Sequence, residues 1–170
     1  EYYIYSYIAF QVEVIMIKVS RMADYAVLLL CRMSRNKDKV YSAHDLSLST
    51  SLPITTISKI LTKLRKAQIV VSVRGVSGGY KLFKDAKKIS VGDIIDVIDG
   101  KIALTVCIEE NNNNCGLASM CPSHSNWQII NNAVCSALNS VSIEEMSRPI
   151  QSYKDSRINL IFNKTSPMEN

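Results

Sequence analysis

The pattern between residues 42 and 83 limits the fold of this chain most, because it predicts a helix, a turn, a second helix and a hairpin in close succession. Ser42-x-x-Asp45 resembles a capping box and predicts a short helix that ends at about Leu48. Pro53 suits the first turn of a second, longer helix, because its φ angle is already helical. The apolar positions that this helix is expected to bury are Ile57, Ile60, Leu61 and Leu64.

The opposite face of the second helix carries hydroxyl and lysine side chains. A helix with such a face, after a short helix and a tight turn, is typical of a helix-turn-helix, whose exposed face can enter a DNA major groove. An ordinary solvated helix shows a similar face, so the helix by itself leaves both interpretations open. The polar residues on this face are Thr55, Thr56, Ser58, Lys59, Thr62, Lys63 and Lys66.

A glycine-rich hairpin follows the second helix. Residues 69–73 predict a strand, residues 75–79 a turn and residues 80–83 the returning strand. Arg74, at the tip, can reach into a narrow minor groove, where negative potential favours a guanidinium. The predicted fold class is therefore mainly α with a small β-hairpin wing, a winged helix-turn-helix. The predicted DNA contacts are Thr55, Thr56, Ser58, Lys59, Thr62, Lys63, Arg74 and Tyr80.

The positive charge of the chain is concentrated in this region. The whole chain carries a formal charge of +5, and nine basic residues stand against one acidic residue between Leu52 and Lys88. A basic cluster that coincides with a helix and a hairpin favours a polyanionic partner, and double-stranded DNA fits both features.

Three cysteines and a histidine lie within the eighteen residues from Cys107 to His124. Thiolate and imidazole are soft ligands that suit zinc or iron, and this spacing lets one loop fold around a metal centre. Cysteines are also often simply buried, but Asn111 to Asn114 make this loop polar. We therefore predict a metal centre, and its expected ligands are Cys107, Cys115, Cys121 and His124.

Cysteine usage and the first residues indicate a cytoplasmic protein. Three of the five cysteines crowd into one loop, which is unlike the bridge pattern of a secreted domain. Residues 1–15 lack the basic start and the cleavage site of a signal peptide, and polar residues interrupt their apolar run, so we expect no membrane span. An accessory β-strand is the alternative for this segment, and Met16 suits the start of the core fold.

Periodic apolar positions predict three more helices, at about residues 19–36, at 90–100 and after the cysteine loop. In the last of these, Trp127, Ile130, Val134 and Val141 recur at roughly heptad spacing. A helix of this kind after a complete small domain needs a partner surface, and a homodimer supplies one. The predicted divisions are an extension at 1–15, the DNA-binding domain at 16–100, the ligand loop at 101–125, a dimerisation helix at 126–147 and a disordered tail at 148–170.

Several motifs resemble the Rrf2 family of winged-helix iron–sulfur regulators, over about Met16 to Met146. The resemblance implies a dimeric transcriptional repressor, not an enzyme, whose operator affinity depends on an iron–sulfur cluster. Residues 99–107 and 126–131 are most similar to the group that regulates the SUF iron–sulfur assembly operon. The motifs that carry the resemblance are Ala23-Asp24-Tyr25-Ala26, Leu64-Arg65-Lys66, Arg74-Gly75-x-x-Gly78-Gly79-Tyr80 and the three spaced cysteines.

The resemblance also implies roles for the ligands. It assigns cluster ligation to the three cysteines of the loop, with His124 as fourth ligand, or Asp24 from the partner subunit's first helix as in the nitric-oxide-sensing branch. Seven residues separate Cys107 from Cys115 where five are common, and a 2Fe-2S cluster is favoured over a 4Fe-4S cluster. Ser58 stands where the assembly regulator has a glutamate, so operator preference does not transfer. A structural zinc site is the alternative, because three cysteines and a histidine are also an ordinary zinc set.

Overall fold

The computed structural model describes residues 18–108 and 121–148. The predictions for residues 1–15, for Asn111 to Asn114, for Cys115 and for the tail beyond Arg148 lie outside these ranges. None of the helices formed by the described residues is long and apolar enough to cross a membrane. The helices are α1 (Arg21–Ser34), α2 (Ala43–Thr50), α3 (Ile54–Lys66), α4 (Val91–Ile98), α5 (His124–Asn139) and α6 (Ile143–Met146), and the strands are β1 (Val70–Val73) and β2 (Gly79–Leu82).

The helix starts follow from local capping. Ser20 caps α1 by accepting a hydrogen bond from the Ala23 N–H at 3.1 Å. Ser42 and Asp45 form the predicted capping box of α2, and hydrogen bonds from the Ser42 backbone and hydroxyl hold the pKa of the Asp45 carboxyl below its usual range. Ser51, at φ 59°, ends α2 in the left-handed conformation. The mainly helical winged fold predicted from the sequence is confirmed.

The core lies where α1, α3 and α4 meet. All four apolar positions predicted for α3 are fully buried, and they pack against fully buried residues of α1 such as Leu29 and Leu30. Ile94 of α4 completes this contact. Burial of several such side chains, at about 1.5–3 kcal/mol each, stabilises this three-helix packing against the entropy cost of ordering it.

The wing is an antiparallel pair in which Val70 lies opposite Leu82 and Val73 opposite Gly79. Tyr41 extends it, because its N–H and carbonyl both pair with Tyr80 on the outer side of β2, at 2.9 and 2.8 Å. A Cβ atom at Gly79 would collide with the Tyr41 carbonyl. The glycine therefore allows the wing to lie directly against the segment that leads into α2.

The C-terminal helix is shorter than the predicted span of 126–147. α5 ends at Asn139, and Ser142 with Glu145 forms a new capping box that starts α6. Ile143 is fully buried, and its N–H donates to the Ile89 carbonyl at 2.9 Å. Because this anchor redirects the chain onto the core, α6 belongs to the winged-helix domain rather than to a continuous dimerisation helix.

Candidate nucleic-acid interface and cluster-binding loop

The outward face of α3 is polar and cationic. Thr55, Ser58, Lys59 and Thr62 are exposed, whereas Thr56 is half-buried at the flank of the helix. The Thr62 hydroxyl donates to the Ser58 carbonyl at 2.8 Å, so its oxygen faces solvent as an acceptor. No acidic residue lies on α3. This face can therefore approach phosphates without an intervening negative charge.

Two lysines at the end of α3 differ from the sequence-based expectation. The Lys63 ammonium donates to the carbonyl of Ile98, the last residue of α4, and so points along the flank of α3. Lys66 is exposed and shares helical spacing with Lys59 and Thr62. Lys66 is thus a candidate groove residue that the predicted contact set omits, although the same spacing in the sequence indicates it.

The wing presents one cation and one apolar side chain at its end. Arg74 is exposed directly after β1, and Val76 is fully exposed in the turn. Tyr80 is half-buried and packs against the core. The predicted position of Arg74 at the tip agrees with the structure, whereas Tyr80 holds the wing in place.

The structure describes the two ends of the ligand loop, residues 101–108 and 121–125. Cys107 is half-buried, and its Sγ lies 3.2 Å from the Thr105 hydroxyl. Cys121 is half-buried just before α5, and His124 is the first residue of that helix. Within residues 18–108 and 121–148, no three histidine, cysteine or acidic side chains are gathered as a metal site. The donor types nevertheless fit a soft metal centre.

Asn131 of α5 holds the first end of the loop. It is the buried polar side chain of this helix, 6% exposed. Its amide nitrogen donates to the Ile102 carbonyl at 3.1 Å, and its amide oxygen accepts from the Leu104 N–H at 3.0 Å. The side chain thus pairs with the backbone as a neighbouring strand would, three residues before Cys107. Both described ends of the loop are attached to α5.

Comparison with known proteins identifies the family of this chain. Residues 19–149 match the family model described as Rrf2, iron-dependent transcriptional regulator. The chain belongs to the Rrf2 family. It is 28% identical over 130 residues to the HTH-type transcriptional regulator IscR of Vibrio vulnificus, strain YJ016, and the match covers 76% of each chain. This Rrf2 protein is therefore a DNA-binding transcriptional regulator and not an enzyme, as predicted.

Two solved structures share the fold of this Rrf2 chain. CymR (YrzC), the global cysteine regulator of B. subtilis, is 26% identical with a TM-score of 0.60, and the match covers 82% of this chain and 100% of CymR. IscR of T. potens has the same TM-score at 23% identity, and the match covers 82% of this chain and 93% of that protein. At that identity the second likeness shows the fold alone.

Two further residues complete the placement of predicted sites. Asp24, the alternative ligand, is exposed in the first turn of α1. Cys31 of α1 is half-buried, and burial raises the pKa of its thiol to about 11. Since the thiolate is the reactive and metal-binding form, the raised pKa disfavours metal binding by Cys31 at neutral pH.

Proposed function

We propose that this Rrf2 protein is a cytoplasmic, homodimeric repressor of iron–sulfur assembly genes whose operator affinity depends on a bound iron–sulfur cluster, 2Fe-2S rather than 4Fe-4S. The observation that carries the proposal is the attachment of both described loop ends to α5. His124 begins this helix, and Asn131 holds the segment before Cys107 two turns further on. The family description as iron-dependent supports iron over zinc.

The expected ligands are Cys107, Cys115 and Cys121, with His124 as the fourth and the partner subunit's Asp24 as the alternative. A bound cluster would supply a redox-sensitive centre that links these residues. The thiols must lose their protons to bind, and His124 must be neutral, so acid weakens the site. Loss of the centre would free the loop from one of its attachments while Asn131 retains the other.

DNA contact is proposed for the outward face of α3 and for Arg74. The exposed hydroxyls of α3 and Lys59 would lie in the major groove. Lys66 is added to the predicted set, and Lys63 is left out because its ammonium is held by the Ile98 carbonyl. Arg74 would enter the flanking minor groove, and Tyr80 would support the wing that carries it. Each protomer of a dimer would then read one half-site.

The homodimer is supported by the apolar surface of α5. Trp127, Ile129 and Ile130 are 40%, 67% and 46% exposed in the protomer. Trp127 and Ile130 are three residues apart and share one face of α5, whereas Ile129 lies on another face. Exposed large apolar side chains on a shared face mark an interaction surface. Val134 of the predicted stripe is half-buried on this helix, whereas Val141 lies beyond its end. The surface proposed to meet its twin is therefore the first half of α5.

The cluster is tested by purifying the protein without oxygen and recording its visible spectrum, iron and sulfide content. Cys107→Ala and Cys121→Ala should each remove the visible absorption, because a lost thiolate leaves too few soft donors. Cys31→Ala is the matched control, which should keep the absorption, since that thiol lies outside the loop. A colourless native protein that contains zinc would establish the zinc alternative instead.

A further inference from the structure

Lys63 links α3 to α4, the helix that precedes the ligand loop. Its ammonium donates to the carbonyl of Ile98, the last residue of α4. The final carbonyls of a helix have no partner within the helix, and the negative end of the helix dipole lies there. The Lys63 ammonium donates to one of these carbonyls and places a positive charge at the negative end of the dipole, so the contact is favourable.

The same end of α4 is tied to α1. The Ser20 hydroxyl caps α1 and also donates to the Asp99 carboxylate at 2.7 Å. Asp99 follows Ile98 directly, so helices α1, α3 and α4 are joined within two consecutive residues. A movement of α3 relative to α1 would therefore alter the contacts at this point.

The loop segment begins at once beyond this junction. Gly100 has a positive φ of +99°, and two to four residues further on Ile102 and Leu104 make the hydrogen bonds to Asn131. Cys107 follows three residues later. A short, hydrogen-bonded path thus runs from the end of α3 to the first cysteine.

We propose that Lys63 is a positioning residue that couples the placement of α3 on DNA to the segment 99–108, and that it is not a phosphate contact. The proposal rests on the proposed function only in taking α3 as the helix that meets DNA. It concerns a contact between described residues, and it holds whether or not the cluster is bound.

The test uses the full-length protein in its metal-free form and a random-sequence DNA duplex at low salt. Hydrogen exchange of the backbone amides of residues 99–108 is measured with and without the duplex, and the salt dependence of binding is measured in parallel. Lys63→Met removes the ammonium, Lys63→Arg keeps a donor, and Lys59→Met is the matched control on the outward face. Lys63→Leu, which also lacks a donor, replaces Lys63→Met if that variant does not fold.

In native protein and Lys63→Arg, DNA should slow exchange in residues 99–108 by about fivefold or more, the lower end of ordinary coupling between sites. Lys63→Met should lose this slowing while its salt slope stays native. Lys59→Met should keep the slowing. The slope of its log affinity against log salt concentration should fall by about 0.9 in magnitude, as for one lost phosphate contact.

The proposal is overturned if Lys63→Met lowers the salt slope as Lys59→Met does, or if the DNA-dependent slowing survives in Lys63→Met or is missing from the native protein. A colourless native protein would contradict the iron–sulfur assignment and leave this result unaffected.

Discussion

Replacing Asn131 with alanine should loosen the attachment of the ligand loop and destabilise the fold. The substitution leaves the Leu104 N–H and the Ile102 carbonyl without their partners at a part-buried position. A buried polar group that loses its partner costs about 1–3 kcal/mol, and partial access of water places each group near the lower end. The expected loss in free energy of unfolding is therefore about 2–3 kcal/mol.

The assay is urea unfolding of the reduced, metal-free protein, followed by circular dichroism. Asn132→Ala is the matched control, because Asn132 is the exposed neighbour on the same helix. Its effect should stay within about 0.5 kcal/mol, as for an ordinary surface substitution. If Asn131→Ala is as mild as this control, the hydrogen bonds of Asn131 do not hold the loop segment and the reasoning is refuted.

Asn131→Asp separates the two hydrogen bonds. A carboxylate still accepts from Leu104 but faces the Ile102 carbonyl without a proton to donate. Burial and this carbonyl favour the neutral acid, so the folded-state pKa of the new carboxyl should lie above its ordinary value of about 3.9. The stability supplied by the protonated form is then present below that value and is lost as pH rises through the folded-state pKa. The free energy of unfolding of the variant should therefore be closer to that of the native protein at about pH 4.5 than at neutral pH. Equal losses of stability at both pH values would contradict this.

Four other substitutions test the proposed interfaces and the fourth ligand. Arg74→Ala should weaken binding more on duplexes with A·T-rich flanks than on duplexes with G·C-rich flanks, because a narrow minor groove favours the guanidinium. Equal losses of affinity on the two duplexes in a fluorescence-anisotropy titration would indicate a plain phosphate contact. Ile130→Glu should give monomers in light scattering, since a dimer would bury an unpaired charge in both subunits, and a persistent dimer would place the seam elsewhere. His124→Ala should keep a cluster with an altered visible spectrum and Asp24→Ala should leave the spectrum native. The reverse result would assign the fourth ligand to the carboxylate.

Features that depend on neighbours within a few residues could be predicted from the sequence. The capping box at Ser42, the buried stripe of α3 and the hairpin around Gly78 all agree with the structure. In each of them, the interacting groups lie within one or two turns or across one tight turn. The residue pattern therefore contains the physical cause of the structure.

Features that join distant parts of the chain depend on the tertiary structure. In the sequence, Lys63 has the same helical spacing as the residues proposed to contact DNA. In the structure, α4 packs beside α3, and the carbonyl of Ile98, 35 residues away, accepts a hydrogen bond from the Lys63 ammonium. Asn131 resembles any polar residue of an amphipathic helix until the segment at Ile102 and Leu104 lies against it. Ile143 interrupts the predicted long helix, because the core has a site for its side chain beside Ile89. Each outcome is set by a partner that only the packing of whole elements brings close, and residue patterns within one element contain no information on that partner.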